Sequence, residues 1–211
     1  MRAVSPKIGG WIEKDLSDEE MNFLWDAIET KGTDEKKNLA GQINSSYNIP
    51  DKNDWFFKNT LQQLVLTYRS HFGESALAVN QLHPYYLNRF WVNYQKQNEF
   101  NPLHNHGGIY SFVIWMKIPT YYSEQNRNLL AATANAKKIS CFEFTYTNML
   151  GGVETYTYEL TPEHEGVLVF FPAALKHMVY PFYNCNEDRI SISGNIFLDT
   201  TQSEGTAIDY D

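Results

Sequence analysis

Two closely spaced histidines are the first residues whose types and spacing could do chemistry. His104 and His106 lie two residues apart in the sequence NPLHNHGG, just before a predicted strand. In extended backbone, residues two apart point to the same side, and imidazole is the commonest metal ligand in proteins. The pair is therefore a candidate metal site. A loop pair that hydrogen-bonds to backbone carbonyls would show the same spacing, so the pair alone does not decide.

A third histidine and an arginine stand far along the chain. His177 opens the penultimate predicted strand, and Arg189 follows twelve residues later in the sequence RISISGN. On a strand, one face carries Arg189, Ser191, Ser193 and Asn195, and the other carries three isoleucines. If the isoleucines pack against a second layer, the arginine faces inward, where a guanidinium and hydroxyls suit a carboxylate. The alternative is a core formed by the isoleucines, with Arg189 in solvent.

The composition is typical of one folded, β-rich domain. The 211 residues are 43% hydrophobic and 15% aromatic, and aromatic residues are enriched in strands. The net charge of −8 argues against a nucleic-acid backbone or an anionic membrane as the main partner. The two cysteines, Cys141 and Cys185, form no CxxC pair. They therefore argue against a disulfide framework or a thiolate zinc site and predict free thiols.

The ends of the chain and its apolar runs predict a soluble, cytoplasmic protein. The first fifteen residues lack the apolar core of a signal peptide. The longest apolar run, residues 112–116, is too short to span a bilayer. The polar tail after Asp199 is predicted to be frayed or to lie over the surface.

Two helices are predicted in the N-terminal part, which reaches to about residue 81. Ser17, followed three residues later by Glu20, fits a capping box for a helix that continues to about Lys31. After a loop-like stretch over residues 38–51, apolar residues recurring by three and four predict a second helix over about 53–72. Gly73 is its predicted end.

From about residue 82 to 199 the sequence changes to short strands separated by turn residues, with no helix between them. Seven or eight such strands predict an antiparallel sandwich or jelly roll, so the whole is an α+β fold with one core. The predicted organisation is a single domain over 1–211, with a helical part over 1–81, a β body over 82–199 and a tail over 200–211. The predicted strands are residues 87–95, 111–119, 139–146, 155–160, 166–171, 176–183 and 189–198.

Taken together, these blocks resemble the 2-oxoglutarate/Fe(II)-dependent oxygenases. The distal block leads from Phe171 through His177 to Arg189, with Ser191 two residues further, in the order that this family shows. Upstream, HNH at 104–106, followed by the strand that ends at residue 119, resembles an HxH subgroup found partly in phage and marine bacterial genomes. The sequence NLAGQINSSY at 38–47 adds to the resemblance, which covers roughly residues 38 to 199.

The resemblance implies a double-stranded β-helix (a cupin-like jelly roll) that binds Fe(II) and uses 2-oxoglutarate and O2 as cosubstrates. It implies a contact between the far carboxylate of 2-oxoglutarate and Arg189 with Ser191. The implied reaction is hydroxylation of a C–H bond with release of succinate and carbon dioxide. The implied iron ligands are His104, His106 and His177.

One position departs from the family pattern, because most members carry Asp or Glu where this sequence has His106. If all three histidines ligate iron, which is the expected arrangement, three neutral imidazoles leave the full charge on Fe(II). In a second arrangement His104 and His177 ligate while His106 only orients. In a third, His106 ligates and Gly108 leaves a gap for water or halide. The order of the histidines also fits a zinc or manganese cupin.

Further expectations concern the surroundings of the site. Tyr94 is chosen over Asn93, on the opposite strand face, as a cosubstrate contact, although an aromatic of the outer layer would look the same. Asn195 is a second candidate contact, since it shares the polar face of Arg189. The long polar stretch 121–138 is expected to form the outer wall or lid of the pocket. The remaining histidines are expected to be structural: His71, His83 and His164.

Two other functional classes remain open on the sequence. A metal cupin enzyme that does not use 2-oxoglutarate would give Arg189 no role. A non-catalytic jelly-roll protein that binds or assembles would tolerate loss of His177, because fold alone does not fix function. The sequence does not determine the primary substrate, a peptide or a small molecule, nor the oligomeric state.

Overall fold

The structure, a computed structural model, describes residues 9–73, 81–202 and 205–206. Within these residues, the many aromatic and β-branched side chains of the chain are accommodated in twelve strands. The predicted tail falls largely outside these residues, as does the beginning of the N-terminal stretch. In chain order the strands β1 to β12 are Ile12–Asp15, Ser45–Asn48, Gln81–Leu82, Tyr85–Gln95, Asn101–His104, Tyr110–Lys117, Cys141–Thr147, Val153–Glu159, Val167–Pro172, Lys176–Val179, Arg189–Leu198 and Gly205–Thr206.

Ten of these strands form two antiparallel sheets. The large sheet has the strand order β1-β9-β6-β11-β4-β2, and the small sheet has the order β5-β10-β7-β8. Along the chain, β4 to β11 alternate between the two sheets, except that β7 and β8 form a hairpin within the small one. This alternation is the double-stranded β-helix, or jelly roll, that the resemblance predicted. The short strands β3 and β12 pair separately.

The two long helices precede the β body, as predicted, whereas a third, short helix lies between β6 and β7, where no helix was expected. The α-helices α1, α2 and α3 span Asp18–Glu29, Gln62–Phe72 and Tyr122–Gln125. Short 3-10 helices cover Lys36–Asn38, Lys52–Asp54 and Pro162–His164, and a π-helical turn, Phe57–Leu61, leads into α2. The capping box at Ser17 and the end of α2 at Gly73 are both present. Gly73 has a φ of 91°, a conformation that glycine adopts easily.

The two faces of β11 serve two different layers. Ile192 and Ile196 are fully buried in a core cluster that includes Leu24 of α1 and Leu64 of α2. The opposite face, which begins with Arg189, points between the two sheets. The helices therefore cover the outer side of the large sheet, and the isoleucines pack against this second layer. A polar inner face is left for a binding pocket, as one of the two sequence interpretations required.

A second core cluster lies between the sheets. It contains Trp115 of β6, Phe142 and Phe144 of β7, and Phe171 of β9, all at most 2% exposed. These aromatic rings fill part of the space between the sheets with apolar side chains. The pocket therefore occupies only the remaining part of the interior.

Five short strands were not predicted from the sequence: β1, β2 and β5 in the two sheets, and the pair β3 and β12 outside them. β1 pairs with β9, and β2 pairs with β4 inside the stretch predicted to be loop-like. β5 carries His104 and pairs with β10. The N-terminal part thus adds two strands to the large sheet in addition to its helices.

Candidate active site

A single pocket between the two sheets gathers the candidate residues. Its cavity volume is about 220 Å³. The inner face of the large sheet forms one wall, and the aromatic residues of the small sheet form another. Residues of the segment 36–43 close part of the mouth. Of the residues proposed from the sequence, the pocket is lined by His104, His106, His177, Arg189, Ser191 and Asn195.

Three histidines converge at one end of this pocket. His104 ends β5, His106 follows in the next turn, and His177 is the second residue of β10. The antiparallel register places His104 directly opposite His177. Candidate ligand nitrogens of the three rings all lie within 4.8 Å of one another. The pairing of two strands thus unites residues that are more than seventy positions apart in the chain.

Two backbone carbonyls determine which nitrogens face the centre of the cluster. The Nδ1 atom of His104 lies 2.7 Å from the carbonyl oxygen of Pro102, and Nδ1 of His177 lies 3.0 Å from that of Leu175. Since a carbonyl only accepts, each Nδ1 carries the proton and donates it. Each Nε2 then presents a lone pair. Metal-binding histidines are commonly oriented by such a bond from the other ring nitrogen.

The histidines are neutral at physiological pH because burial disfavours their charged forms. Burial lowers the pKa of His106 to about 4, and the neighbouring His104 adds to this shift. Burial also lowers the pKa of His104, and it lowers the pKa of His177 well below 6.5. Three neutral imidazoles are therefore available to a cation.

The spacing of the imidazoles fits a transition-metal ion. The Nε2 atoms of His106 and His177 are 3.1 Å apart. Two nitrogens that ligate one ion at about 2.1 Å and at a right angle are separated by about 3.0 Å. The set contains no thiolate or carboxylate, and imidazole suits zinc, copper, iron and nickel. His104, His106 and His177 could therefore hold such an ion together.

Arg189 lies buried at the other end of the inner face, 2% exposed. Its Nη2 donates to Ser140 Oγ (2.6 Å), and its Nη1 donates to Gln95 Oε1 (3.4 Å). Its guanidinium stacks over the Phe182 ring, 4.9 Å from the centroid. Among the described residues, its Nε has no hydrogen-bond partner and no carboxylate pairs with it. Burial lowers the pKa of Arg189 to about 10, so the side chain remains a cation at pH 7.

A buried, unpaired cation is costly unless a ligand neutralises it. Arg189 therefore fits a carboxylate, which a guanidinium can bind through two parallel hydrogen bonds. Ser191 lies two residues further on the same strand face, and Asn195 lies near the histidine end. Asn195 Oδ1 accepts a hydrogen bond from Ser111 Oγ (3.0 Å), which holds the amide in place.

The expectation for Tyr94 is wrong. Tyr94 lies on the outer face of β4, where its ring contacts Tyr47 and the ammonium of Lys31. Asn93 lines the pocket instead, opposite Ser191 in the strand register, and accepts a hydrogen bond from Ser46 Oγ (2.7 Å). Neighbouring residues of a strand point to opposite faces, so the prediction failed because it assigned the wrong face of β4 to the pocket.

The expectation of a lid over 121–138 is also wrong. None of these residues, all of which the structure describes, lines the pocket. The segment instead packs near the start of β7, where Asn126 Nδ2 donates to the carbonyl of Ile139 and Gln125 Nε2 donates to that of Tyr183. Residues 36–43 stand at the pocket mouth in its place. The sequence offered one signal for this segment, because the resemblance began at residue 38.

The inner face of β4 was the other part of the site that the sequence analysis missed. Arg89, Trp91, Asn93 and Gln95 all line the pocket. They alternate with apolar residues that face the helices, and this alternation was visible in the sequence as a polar face matching that of β11. The Trp91 ring lies 5.8 Å from the His106 ring, between centroids.

The remaining histidines lie away from the cluster. His71 is exposed at the end of α2, His83 contacts the carbonyl of Gln202, and His164 contacts Thr161 at the start of a 3-10 helix. Both cysteines are free thiols, as expected. Among the described helices, none has the length and apolarity needed to cross a membrane.

Comparison of the sequence with protein families finds a match that covers much of the β body. The family described as "Putative 2OG-Fe(II) oxygenase" matches residues 89–195, just over half of the chain. This range runs from Arg89 on β4 to Asn195 on β11, and it includes the three histidines and Arg189. No curated protein matches the sequence.

Several solved structures share the fold at low sequence identity. An oxidoreductase of the 2OG-Fe(II) oxygenase family from Burkholderia pseudomallei is 12% identical, with a TM-score of 0.53 over 89% of this chain and 84% of that one. HygX from Streptomyces hygroscopicus, whose structure contains nickel, 2-oxoglutarate and hygromycin B, is 9% identical, with a TM-score of 0.53 over 91% and 84%. SnoK, a non-heme alpha ketoglutarate dependent carbocyclase from nogalamycin biosynthesis, is 9% identical, with a TM-score of 0.53 over 96% and 90%.

Proposed function

Since the chain belongs to the 2OG-Fe(II) oxygenase family, whose enzymes use Fe(II) with 2-oxoglutarate and O2, we propose that His104, His106 and His177 together hold its Fe(II). The observation that carries this proposal is the convergence of three neutral imidazoles, with candidate ligand nitrogens within 4.8 Å of one another, at one end of the pocket. The carbonyls of Pro102 and Leu175 support it by turning two Nε2 lone pairs inward.

Arg189 is proposed to bind the far carboxylate of 2-oxoglutarate, with Ser191 beside it. Its burial, its unpartnered Nε and the absence of a carboxylate partner among the described residues support this role. Asn195 and Asn93, on the same inner face, are proposed to contact the cosubstrate between Arg189 and the metal. Tyr94 is not included, because it lies on the other face.

When bound, Fe(II) with 2-oxoglutarate and O2 supplies the chemistry that oxidises a substrate C–H bond and yields succinate and carbon dioxide. The protein's share is positioning and exclusion of water. Arg189 orients the cosubstrate from one end, and the histidines do so from the other. Trp115, Phe142 and Phe171 line the pocket with apolar surface that limits the entry of water. The proposed product is a hydroxylated substrate.

His106 is proposed as a full ligand in the position where most of the family carries a carboxylate. It is half-buried, faces His177 Nε2 at 3.1 Å and lies in the same cluster as His104. The two other arrangements drawn from the sequence differ in whether His106 touches the metal, and metal affinity of its variants separates them. The HxH spacing also supports the finer assignment to the HxH subgroup, whereas a phage origin and a cytoplasmic location rest on the sequence arguments alone.

Turnover of labelled 2-oxoglutarate tests the proposed function. Purified protein is incubated with Fe(II), ascorbate, O2 and 2-oxoglutarate, and labelled succinate is measured. We expect slow formation of succinate even without a primary substrate, because the cosubstrate is oxidised in an uncoupled reaction. Metal-free protein serves as the control and should form none.

The rival functions give different outcomes in the same experiment. A metal cupin that does not use 2-oxoglutarate would bind a metal ion but neither bind 2-oxoglutarate in calorimetry nor form succinate. A non-catalytic jelly-roll protein would bind no stoichiometric metal, and His177→Ala would leave its properties unchanged. Either result would refute the proposed function.

A further inference from the structure

The pocket is positively charged although the protein as a whole is acidic. The chain has 25 Asp and Glu against 17 Lys and Arg. Among the described residues, no Asp or Glu lines the pocket, whereas Lys36, Arg89 and Arg189 do. A cleft lined by one sign of charge raises the local concentration of ligands of the opposite sign. The lining of this pocket therefore favours anionic ligands beyond the one assigned to Arg189.

Arg89 and Arg189 stand at opposite ends of the same strand pair. In the register of β4 with β11, Arg189 is opposite Gln95 and Arg89 is opposite Asn195. Six residues of strand correspond to roughly 20 Å. The two guanidinium groups therefore belong to different parts of the pocket. Arg89 lies at the end that holds the histidines, two residues from Trp91, whose ring centroid lies 5.8 Å from that of His106.

The two exposed cations of the pocket are not neutralised by carboxylates, and they lie apart, because Lys36 Nζ is held by Asn44 at the Gln95 end of β4. Arg89 is exposed, and within the described chain its guanidinium makes no hydrogen bond or ion pair. Lys36 Nζ donates only to the neutral Asn44 Oδ1 (3.0 Å). The acidic residues next to Lys36 in the chain are occupied otherwise: Asp34 accepts from the Lys36 backbone N–H and Glu35 accepts from the Asn38 side chain.

The excess charge persists when the site is loaded, and this step rests on the proposed function. The two charges of Fe(II) and the two of 2-oxoglutarate cancel, and three imidazoles add no charge of their own. Arg189, Arg89 and Lys36 then leave the loaded pocket positive. A carboxylate ligand in the place of His106 would have removed one of these charges.

We propose that the primary substrate is a small organic anion whose carboxylate or phosphate pairs with Arg89 at the histidine end of the pocket. The planar guanidinium of Arg89 matches the oxygens of both groups bidentately. The indole of Trp91, two residues from Arg89 on the same face, offers an apolar surface for the carbon skeleton. The cavity volume of about 220 Å³, which must also hold the cosubstrate, limits the skeleton to a small one.

The test measures binding to protein loaded with Fe(II) and saturated with 2-oxoglutarate under nitrogen, by calorimetry. The probes are several short aliphatic and aryl-alkyl skeletons, each prepared as carboxylate, phosphate ester, neutral amide and amine. For each skeleton that binds, we expect the anionic forms to bind about tenfold tighter than the amide, and the amine not to bind. The carboxylate and phosphate arms distinguish the two head groups.

Charge-removing variants localise the effect. Arg89→Gln should weaken binding of the anionic probes about tenfold and leave binding of the amides unchanged. Lys36→Gln, which removes a cation at the other end of the pocket, should leave both nearly unchanged. Arg127→Gln and Lys37→Gln are matched controls, because these cations are exposed but do not line the pocket. Both controls should bind the anionic probes like the unmodified protein.

Failure of this inference and failure of the proposed function give different results. If 2-oxoglutarate binds but amides or amines bind as well as the anions, or no anionic probe binds, or Arg89→Gln has no effect, the anionic substrate is refuted and the oxygenase stands. If 2-oxoglutarate fails to bind, the oxygenase is refuted, and the anion site is then judged by the same probes on protein without the cosubstrate. There, Arg89-dependent binding upholds the anion site, and its absence refutes it.

Discussion

At the scale of single residues, the histidine cluster is controlled by atoms that do not touch its centre. The carbonyls of Pro102 and Leu175 each take one imidazole proton. The aromatic rings of Phe142 and Phe171 lie 5.5 and 5.0 Å from His177, between centroids, and bury it. The first effect sets the direction of the lone pairs, and the second keeps the ring neutral. A metal ion thus finds in His104 and His177 two ligands that need neither reorient nor lose a proton.

Variants of His106 show whether it is a ligand. His106→Ala should lower Fe(II) affinity by more than about a hundredfold, since loss of even an outer partner of a ligand costs about 10- to 100-fold. His106→Asp should bind within about tenfold of the unmodified protein, because carboxylates ligate iron. Competition with a chelator under anaerobic conditions gives both affinities.

A matched control for this measurement is His71→Ala, which removes an exposed histidine at the end of α2. It should leave the affinity unchanged. An affinity of His106→Ala equal to that of the unmodified protein would assign His106 an orienting role only.

Replacement of Arg189 separates cosubstrate binding from folding. A ligand at a hundredfold excess over its Kd stabilises the folded state by about 2.7 kcal/mol, so 2-oxoglutarate should raise the Tm of the Fe(II)-loaded protein by several degrees. In Arg189→Met this rise should disappear. The unliganded variant should not melt earlier, because the substitution removes a buried cation that has no carboxylate partner among the described residues.

Thermal melts with and without 2-oxoglutarate measure both effects. Arg127→Met, in an exposed position outside the pocket, should show the full ligand-induced rise. An undiminished rise in Arg189→Met would contradict the carboxylate contact.

Residue chemistry made much of this site predictable. His104, His106, His177 and Arg189 stood out because few residue types bind metals or carboxylates, and their order along the chain is specific. The face of β4 that points into the pocket was harder to predict. Asn93 and Tyr94 are neighbours with comparable chemistry, and only pairing with the already assigned face of β11 distinguishes them.

At the scale of the elements, β11 illustrates how one strand joins two layers. Its center contains Gly194, where an added Cβ would lie 2.5 Å from the Phe112 ring and 2.8 Å from the Arg89 carbonyl oxygen. Glycine permits this close approach, so Phe112 can cross the strand and the sheet can stay closely packed. The glycine of the sequence RISISGN therefore has a packing role next to a binding face.

Glu20 links α1 to its surroundings and gives a pH-dependent prediction. Its carboxylate accepts from the Ser17 backbone N–H (2.8 Å), Lys14 Nζ (2.6 Å) and Thr60 Oγ1 (2.6 Å). Burial acts to raise the pKa of Glu20, but these hydrogen bonds outweigh it and hold the pKa below 4.5. Glu20→Gln should lower the free energy of unfolding at pH 7 by about 1–2 kcal/mol.

The sign of the pH dependence follows from the lowered pKa. The stabilisation is fully present above the pKa of the unfolded chain and is lost as the pH falls through that of the folded one. The difference between Glu20→Gln and the unmodified protein in urea unfolding should therefore shrink at about pH 3. Glu19→Gln, an exposed change in the same turn, should show neither effect. A difference of equal size at both pH values would rule out the ionised carboxylate as the cause.

Elements with local signals were predicted, and elements that depend on distant partners were not. The capping box at Ser17 and the apolar spacing of α2 depend only on residues that are close together in the sequence. β1, β2 and β5 have four residues each, too few for a periodicity, and they exist because β9, β4 and β10 pair with them. The packing of residues 121–138 near the start of β7, and of residues 36–43 against the pocket, likewise follows from tertiary contacts.

At the scale of the whole molecule, the N-terminal part is built into the β body. β1 and β2 form the two edges of the large sheet, and α1 and α2 cover its outer face. The composition change near residue 82 marks where strands become dense. The division at this point and the single domain over 1–211 remain predictions, which unfolding experiments address.

A fragment of residues 82–211 should not fold by itself. It would expose core residues such as Val92, Ile114 and Ile192, which now pack with the helices. Each buried side chain of this kind contributes about 1.5–3 kcal/mol, so loss of the whole layer exceeds the stability of an ordinary domain, about 5–15 kcal/mol. Near-UV circular dichroism and tryptophan emission should show one coincident urea transition for the full chain and none for the fragment.

A cooperative transition of the isolated fragment would contradict this prediction and would make the helical part a separable addition. Two separate transitions of the full chain would do the same. The unfolding experiment can therefore either support or refute the single-domain prediction.

The contact between Trp91 and His106 gives the protein an optical reporter of its own. The indole is 4% exposed and its ring centroid lies 5.8 Å from that of His106. A paramagnetic ion held by the imidazoles would quench the emission of this indole, and a molecule bound beside Arg89 would shift its emission wavelength. Comparison with Trp91→Phe would isolate this signal from the other four tryptophans of the chain. Occupancy of the metal centre and of the proposed anion site at Arg89 can thus be followed by fluorescence in an unlabelled sample.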